Sequence, residues 1–549
     1  MADTTRLGNA DWIVLGGYFA LLIGSGIWFS RRKVADTRDY FLANRSMPAW
    51  AVAISILATA QSAATFVGVP QSSYAGNLAY LASNIGGIIA AVILATVFIP
   101  AYYRLNVTTP YALLERRFGP RARTAASWAY LVGRVFASGA RVFVGALPAC
   151  LAIFGDVAPV HMCITIWVFI AFGVAYTFVG GVSSAIWTDV LQVSVYIGAA
   201  LVTIAVLLHR IPVGPAELID ALAHPPQGSS KLTIIQPGVD FSQPWWGFDP
   251  GAEFTLLTVT TGFVLLTLAS HGMDQDLVQR MLTCRDAAAG ARSVIGGVLV
   301  GIPAVCIFLV VGLLLYVFYQ RPDIMGAAAP AEAAPSDKAF QTFAYTQMGG
   351  GLAGLFLAGL FAAGPAGINS GLNSMASTFV EDVYRRVWPD RDERHYLKAG
   401  RAAVVAAGVL LGLFACACIL LYDSARNSLL GFVLGVMSFA YAGLLGMFFT
   451  ALFTRRGSTR SVIAGWFAGF AVVALLEPVA WKWWTSLLPN SLATVRDLSI
   501  AFPWRLVLAT LVSFAVCLLG NSPARRAVQQ PDSHRGKNAS TSPPSTPPS

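Results

Sequence analysis

Two arginines lie where water is scarce. Arg134 and Arg141 are seven residues apart in an otherwise apolar segment, 124–153, and so share one helix face. An intramembrane guanidinium needs a carboxylate, carbonyl oxygens or water, and either residue could contact an anionic solute. The competing reading is a structural ion pair, or a side chain snorkelling to an interface. Asp189, at the start of segment 184–208, reads either as a carboxylate on an ion path or as a charge favoured at a helix N-terminus. His271 could carry a proton or bind solute, since imidazole titrates near neutrality. It could equally be a hydrogen-bonded core residue.

Hydroxyl and amide groups concentrate in three further stretches. Residues 50–77 are apolar enough for a bilayer, yet they carry Thr59, Gln61, Ser62 and Thr65, then Pro70-Gln71-Ser72-Ser73. Unpaired backbone costs several kcal/mol in hydrocarbon, so a helix broken there must face protein or a wet cavity. The apolar run 263–269 ends likewise in Ser270-His271-Gly272-Met273-Asp274-Gln275-Asp276. In 362–374, Gly364-Pro365-Ala366-Gly367 precedes Asn369-Ser370-Gly371-Leu372-Asn373-Ser374. Such residues free carbonyl oxygens of the kind a hard cation takes, or simply kink a helix. No nucleophile triad, phosphate-cradling Gly loop or His/Cys metal spacing occurs, and an enzyme is not expected. The seven cysteines read as small core residues.

The elements that position these groups follow from composition. Of 549 residues, 56% are hydrophobic and 12% charged, which selects a polytopic membrane protein. At about 20 apolar residues per crossing, the chain divides into thirteen spans. They lie near 11–30, 49–71, 77–102, 124–153, 159–180, 184–208, 253–271, 290–319, 342–381, 399–422, 429–453, 461–481 and 501–520. Alternate loops, beginning after the first span, hold 26 of the 37 Lys and Arg residues. Cytoplasmic loops carry that excess, so residues 1–10 are expected outside and the C-terminus in the cytoplasm of an inner (plasma) membrane protein. Topology thus accounts for the net charge of +10, and no nucleic-acid partner is expected. Residues 521–549, rich in Pro and Ser, are expected to be a disordered cytoplasmic tail. The two suspicious spans, the second and seventh, are five apart, as in a transporter built from two inverted copies over about 49–208 and 253–453.

Three stretches resemble the sodium:solute symporter family: Tyr176-Thr177-Phe178-Val179-Gly180-Gly181 with Trp187-Thr188-Asp189-Val190-Leu191-Gln192; Gly272-Met273-Asp274-Gln275-Asp276-Leu277-Val278-Gln279-Arg280; and Leu372-Asn373-Ser374 leading to Asp382-Val383-Tyr384-Arg385-Arg386. The resemblance covers nearly everything to about residue 520. It implies an all-α, LeuT-like five-plus-five inverted repeat, with one extra N-terminal and two extra C-terminal helices. It further implies a secondary active transporter that couples a small polar organic solute, a sugar among the candidates, to Na+ by alternating access. An uncoupled or proton-coupled facilitator and a non-transporting sensor remain alternatives.

Carried over residue by residue, the family's sodium site places carbonyl ligands on Ala58, Gln61 and Ala363. Its two hydroxyl positions fall on Ala366 and Gly367, which have no hydroxyl. Asp189 matches the carboxylate associated with sodium passage. The polar residues that line sugar fall on Thr65, Asn84 and Thr267, and the aromatics that gate it fall on Ser270 and His271.

Overall fold

The computed structural model describes residues 7–30, 41–177, 182–240, 247–330, 332–422, 428–487 and 498–521. The expected tail from residue 522 onward, Phe178–Gly181 of the first motif and the side chain of Ala366 lie outside the described residues. Regular structure in the described residues is entirely helical. Helix occurs in every segment expected to span: α1 (Asn9–Ser30), α2a (Ala49–Ala60) and α2b (Ala63–Ala75), α3 (Ala79–Leu105), α4 (Pro120–Phe154), α5 (Pro159–Thr177), α6 (Val182–Arg210), α7a (Leu256–Gly272) and α7b (Gln275–Met281), α8 (Ala287–Gln320), α9 (Leu352–Thr378), α10 (Glu393–Leu421), α11 (Leu429–Phe453), α12 (Thr459–Leu476) and α13 (Phe502–Leu518).

Among the described residues, eight helices are individually long and apolar enough to cross a membrane. Counting each bent pair, α2a/α2b and α7a/α7b, as one span raises that to ten. The chain is therefore a multi-pass membrane protein. α5 and α13 are apolar but shorter, so this criterion stops below thirteen crossings. Boundaries also move. The segment expected as one span over 342–381 is two helices, Ala339–Gln347 and α9, parted at Gly350 and Gly351. Their φ of 65° and 94° lies in the left-handed region that glycine enters without a Cβ clash. The helix break that Gly and Pro suggested within 362–374 does not occur. α9 runs on to Thr378, and only then does a widened turn, Phe379–Tyr384, follow.

Small residues set the spacing of the central helices. α8 lies against both halves of α2; a side chain at Gly312 would run into the Pro70 carbonyl, and Ser73 Oγ donates to Leu309 O across that contact at 2.8 Å. α4 approaches α11 where a Cβ on Gly133 would lie 2.7 Å from Ala440 Cα. α10 packs on α4 and α5, α6 crosses α9, and α12 and α13 cover the outer side of α11. The two bent helices thus meet in the interior, with α2a beside α7b and α9 beside both.

Candidate functional site

α2 bends by 66° between its halves, and α7 by 63°. In α2 the break falls at Gln61 and Ser62, both extended (ψ 153° and −178°). Ser62 N–H donates to Thr65 Oγ1 at 3.3 Å, so a hydroxyl of the new helix satisfies an amide the break releases. In α7 the break falls at Met273 and Asp274. The Asp274 side chain caps α7b by accepting from Asp276 N–H at 3.0 Å. Two tyrosine hydroxyls take the carbonyls freed at the end of α7a: Tyr102 donates to Gly272 O, and Tyr111 to Met273 O at 3.0 Å. Irregular backbone at this depth is thereby paired by protein groups.

Charge gathers at these breaks. Arg134 forms ion pairs with Asp274, at 2.9 Å, and with Asp276. Tyr441 of α11 donates to Asp274 Oδ2 at 2.8 Å, and Ser370 of α9 donates to Asp276. Arg280 of α7b pairs with Asp189 of α6 at 2.7 Å, and Ser55 of α2a donates to the same carboxylate oxygen. All five charged residues are buried, at 1–3% exposure. Arg141 differs. It is half-buried, donates to Thr59 O at 3.3 Å and Met437 Sδ at 3.5 Å, and has no ion pair among the described residues.

The breaks open onto a cavity of about 180 Å³. At roughly 30 Å³ per liquid water, that is room for about six waters or a small organic solute. Thr65, Asn84, Arg141, Thr267, Ser270 and His271, scattered through the sequence, all line it, and Gln61 and Arg134 do as well. His271 Nδ1 is 2.9 Å from Ser270 Oγ, and Asn84 Nδ2 donates to Leu81 O at 2.9 Å. The walls carry two arginines and no Asp or Glu. Arg134 is held by its carboxylates, so it is the Arg141 end of the wall that favours an anion.

The positions matched to sodium ligands lie beside this cavity rather than on its wall, Gln61 excepted. Ala58 is in the last turn of α2a, whose carbonyls lose their intrahelical partners at the break. On α9, Gly364 faces Ala63, with 3.9 Å between a built Cβ and the Ala63 methyl. Gly367, one turn further on, is buried, yet a Cβ there would meet nothing within 4 Å. Carbonyl oxygens and open space are thus available, while the α9 hydroxyls of the family pattern are absent from Gly367 and Ala366. The Gln61 side chain is engaged elsewhere, its Oε1 accepting from Tyr196 at 2.9 Å.

Several residues of the site go beyond the sequence expectations. Asp274, Asp276 and Arg280 carry a signal that points to their pairing, since an intramembrane arginine calls for a carboxylate. Thr59 is one hydroxyl among several in its stretch. Tyr441 and Met437, from a uniformly apolar helix, gave no signal.

The profile of the sodium:solute symporter family matches residues 40–469. The sodium/sialic acid symporter NanT of Aliivibrio fischeri is 30% identical over 87% of this chain and 88% of its own length. The sodium/glucose cotransporter of Vibrio parahaemolyticus is 25% identical, with 89% of each chain covered. The fold is that of a solved Na+-coupled sialic acid symporter in an outward-open state, at a TM-score of 0.76 and 23% identity, over 93% of this chain and 97% of the other. With a family match over most of its length and a relative aligned nearly end to end, the chain belongs to the sodium:solute symporter family.

Proposed function

We propose that the solute carried is a small sugar acid, with sialic acid the first candidate, and that Arg141 binds its carboxylate. Coupling of a small solute to Na+ comes with the family; that the solute is an anion rests on the cavity, and sialic acid is the solute for which NanT is named. The observation that carries it is the contrast between arginines: Arg134 and Arg280 are paired with carboxylates, whereas Arg141 faces the cavity with no such partner among the described residues. Two of its five donors meet a carbonyl and a thioether, which leaves donors for an entering carboxylate. Thr65, Asn84, Thr267, Ser270 and His271 offer the neutral hydrogen-bonding groups that a sugar's hydroxyls require.

Na+ sits in this reading between the α2 break and α9, near Ala58, Gln61, Ala363, Ala366 and Gly367, with Asp189 on its route. Thirteen crossings, the N-terminus outside and the C-terminus cytoplasmic, arrange spans 2–6 and 7–11 as two inverted copies. Solute and ion together stabilise an outward-facing state until the broken helices rock against their surroundings. The protein is a transporter and not an enzyme. The test is sialic acid uptake into proteoliposomes under an inward Na+ gradient. A hydrogen bond to a charged group is worth about 1.5–3 kcal/mol, so Arg141→Gln is expected to raise the half-saturating concentration by roughly 10–150-fold. Wild-type protein that takes up no sialic acid, or an Arg141→Gln variant with unchanged uptake, would overturn the reading.

A further inference from the structure

Thr59 touches Arg141, assigned to the solute, and Arg280, the partner of the carboxylate on the ion's route. α2a ends one residue after it, so its carbonyl stands in the last turn, without its usual intrahelical amide. That carbonyl accepts from Arg141 Nη1 at 3.3 Å. The Thr59 hydroxyl donates to Ser55 O at 2.9 Å and accepts from Arg280 Nε at 2.7 Å. Arg280 Nη2 then reaches Asp189 Oδ2 at 2.7 Å, and Ser55 Oγ donates to that same oxygen at 2.5 Å. Thr59 is 1% exposed, Ser55 0%, Asp189 3% and Arg280 3%, so water does not compete for these contacts. Three elements, α2a, α4 and α7b, meet at Thr59 beside the break, and α6 joins them through Asp189.

We infer that Thr59 is a positioning residue that couples the solute to the ion: its carbonyl holds Arg141 at the solute cavity, and its hydroxyl holds Arg280 on the Asp189 carboxylate. The inference rests on the reading of Arg141 as the partner of an anion and of Na+ as the coupling ion. A solute carboxylate draws the Arg141 guanidinium into the cavity and alters what the Thr59 carbonyl faces. A cation resting beside Asp189 on its route competes with Arg280 for that carboxylate and so alters what the Thr59 hydroxyl accepts. Both ligands therefore bias the orientation of one buried residue at the end of a half-helix, which is the physical requirement for linkage between them.

The experiment uses the full chain in lipid nanodiscs, with sialic acid as probe, titrated calorimetrically in sodium chloride and in choline chloride of equal ionic strength. In wild-type protein sodium should tighten sialic acid by roughly 5–150-fold. Thr59→Val keeps shape and carbonyl but deletes the hydroxyl. Its ratio of sialic acid affinities in sodium and in choline should collapse toward unity. Thr59→Ser, which restores the hydroxyl, should recover it; a merely structural role would not separate these two affinities. A Thr59→Val protein that keeps the wild-type ratio would overturn the inference and leave the assigned function standing. Wild-type protein that binds no sialic acid, or binds it equally in both salts, would overturn the functional reading and the inference with it. If Thr59→Val fails to elute as a folded monodisperse species, Thr59→Ala carries the same comparison with the same two outcomes.

Discussion

Arg134 and Arg141 share a helix face, yet they should fail differently when neutralised. Arg134→Gln strips Asp274 and Asp276, 2% and 1% exposed, of the guanidinium that both face. Removing one partner of a buried pair costs about 3–5 kcal/mol, because the other is left charged and dry. An unfolding entropy of roughly 2.1 cal/mol/K per residue over about 500 residues is roughly 1 kcal/mol/K, so the melting temperature should fall by about 3–5 °C. Helices that persist in detergent lower that entropy and enlarge the shift, which makes this range a floor. Arg141→Gln breaks no ion pair, and its partners are a carbonyl at 3.3 Å and a thioether at 3.5 Å. Its stability cost should stay within about 0.5 kcal/mol, or roughly half a degree. The assay is thermal unfolding followed by intrinsic tryptophan fluorescence, with and without sialic acid plus sodium. Ligand should raise the melting temperature of Arg134→Gln but not that of Arg141→Gln. An Arg134→Gln protein as stable as wild type, or an Arg141→Gln protein the less stable of the two, would refute the division into a structural and a ligand-binding arginine.

Two further outcomes test the ion site and the loop side. Gly367→Ser places a hydroxyl in buried open space on α9; one added neutral oxygen at about 1 kcal/mol should lower the half-saturating Na+ concentration for uptake by roughly fivefold, and an unchanged value would move the ion away from Gly367. Glu115, in the helix Ala112–Phe118 between spans, is raised by burial, but Arg123 and Arg386 at 2.7 and 2.6 Å outweigh that and hold it below the ordinary 4.5. Its folded value being the lower one, its stabilisation is present above pH 4.5 and lost as pH falls through that lower value. The gap in melting temperature between wild type and Glu115→Gln should therefore be constant near neutrality and close on acidification below about pH 4.5. A gap that failed to narrow on acidification below about pH 4.5, or that widened there, would refute the assignment.

The breaks were the most legible feature of the sequence, because polar groups in a segment too apolar for water leave few structural options. Gln61-Ser62 and Met273-Asp274 sit inside stretches singled out on that ground, and both prove to be the points where helices bend. The third stretch misled for an instructive reason: α9 continues through Gly364, Gly367 and Gly371, and at Gly371 the missing side chain serves close packing. A Cβ on Gly371 would lie 3.2 Å from both Arg134 Nε and Ser138 Oγ. Glycine in a membrane helix is as compatible with a tight crossing as with a break, and the sequence alone does not separate the two. Pairing among charges was likewise illegible. Arg134 finds Asp274 and Asp276 at a separation of 140 and 142 residues, which helix periodicity within one span does not report.

Charge also explains why the two cargoes belong together. Around the cavity three guanidinium groups (Arg134, Arg141 and Arg280) stand against three carboxylates (Asp189, Asp274 and Asp276), so this core is neutral as it stands. A solute carboxylate entering alone leaves one uncompensated negative charge in a site of low dielectric, and a sodium ion entering alone leaves one positive. Desolvation costs several kcal/mol per ion. Entering together, they attract each other by about 2 kcal/mol at a separation of ~8 Å and an effective dielectric constant of ~20. That is roughly a thirtyfold mutual tightening and falls within the range of about 1–3 kcal/mol usual for linked sites. Attraction through space could therefore supply the coupling energy without any particular residue between the ions, and Thr59→Val decides the point. It removes no charge and moves none by more than a hydroxyl's reach, so electrostatics alone would leave the sodium effect intact. Its loss would mean that the attraction acts only while Arg141 and Arg280 are held by the residue between them.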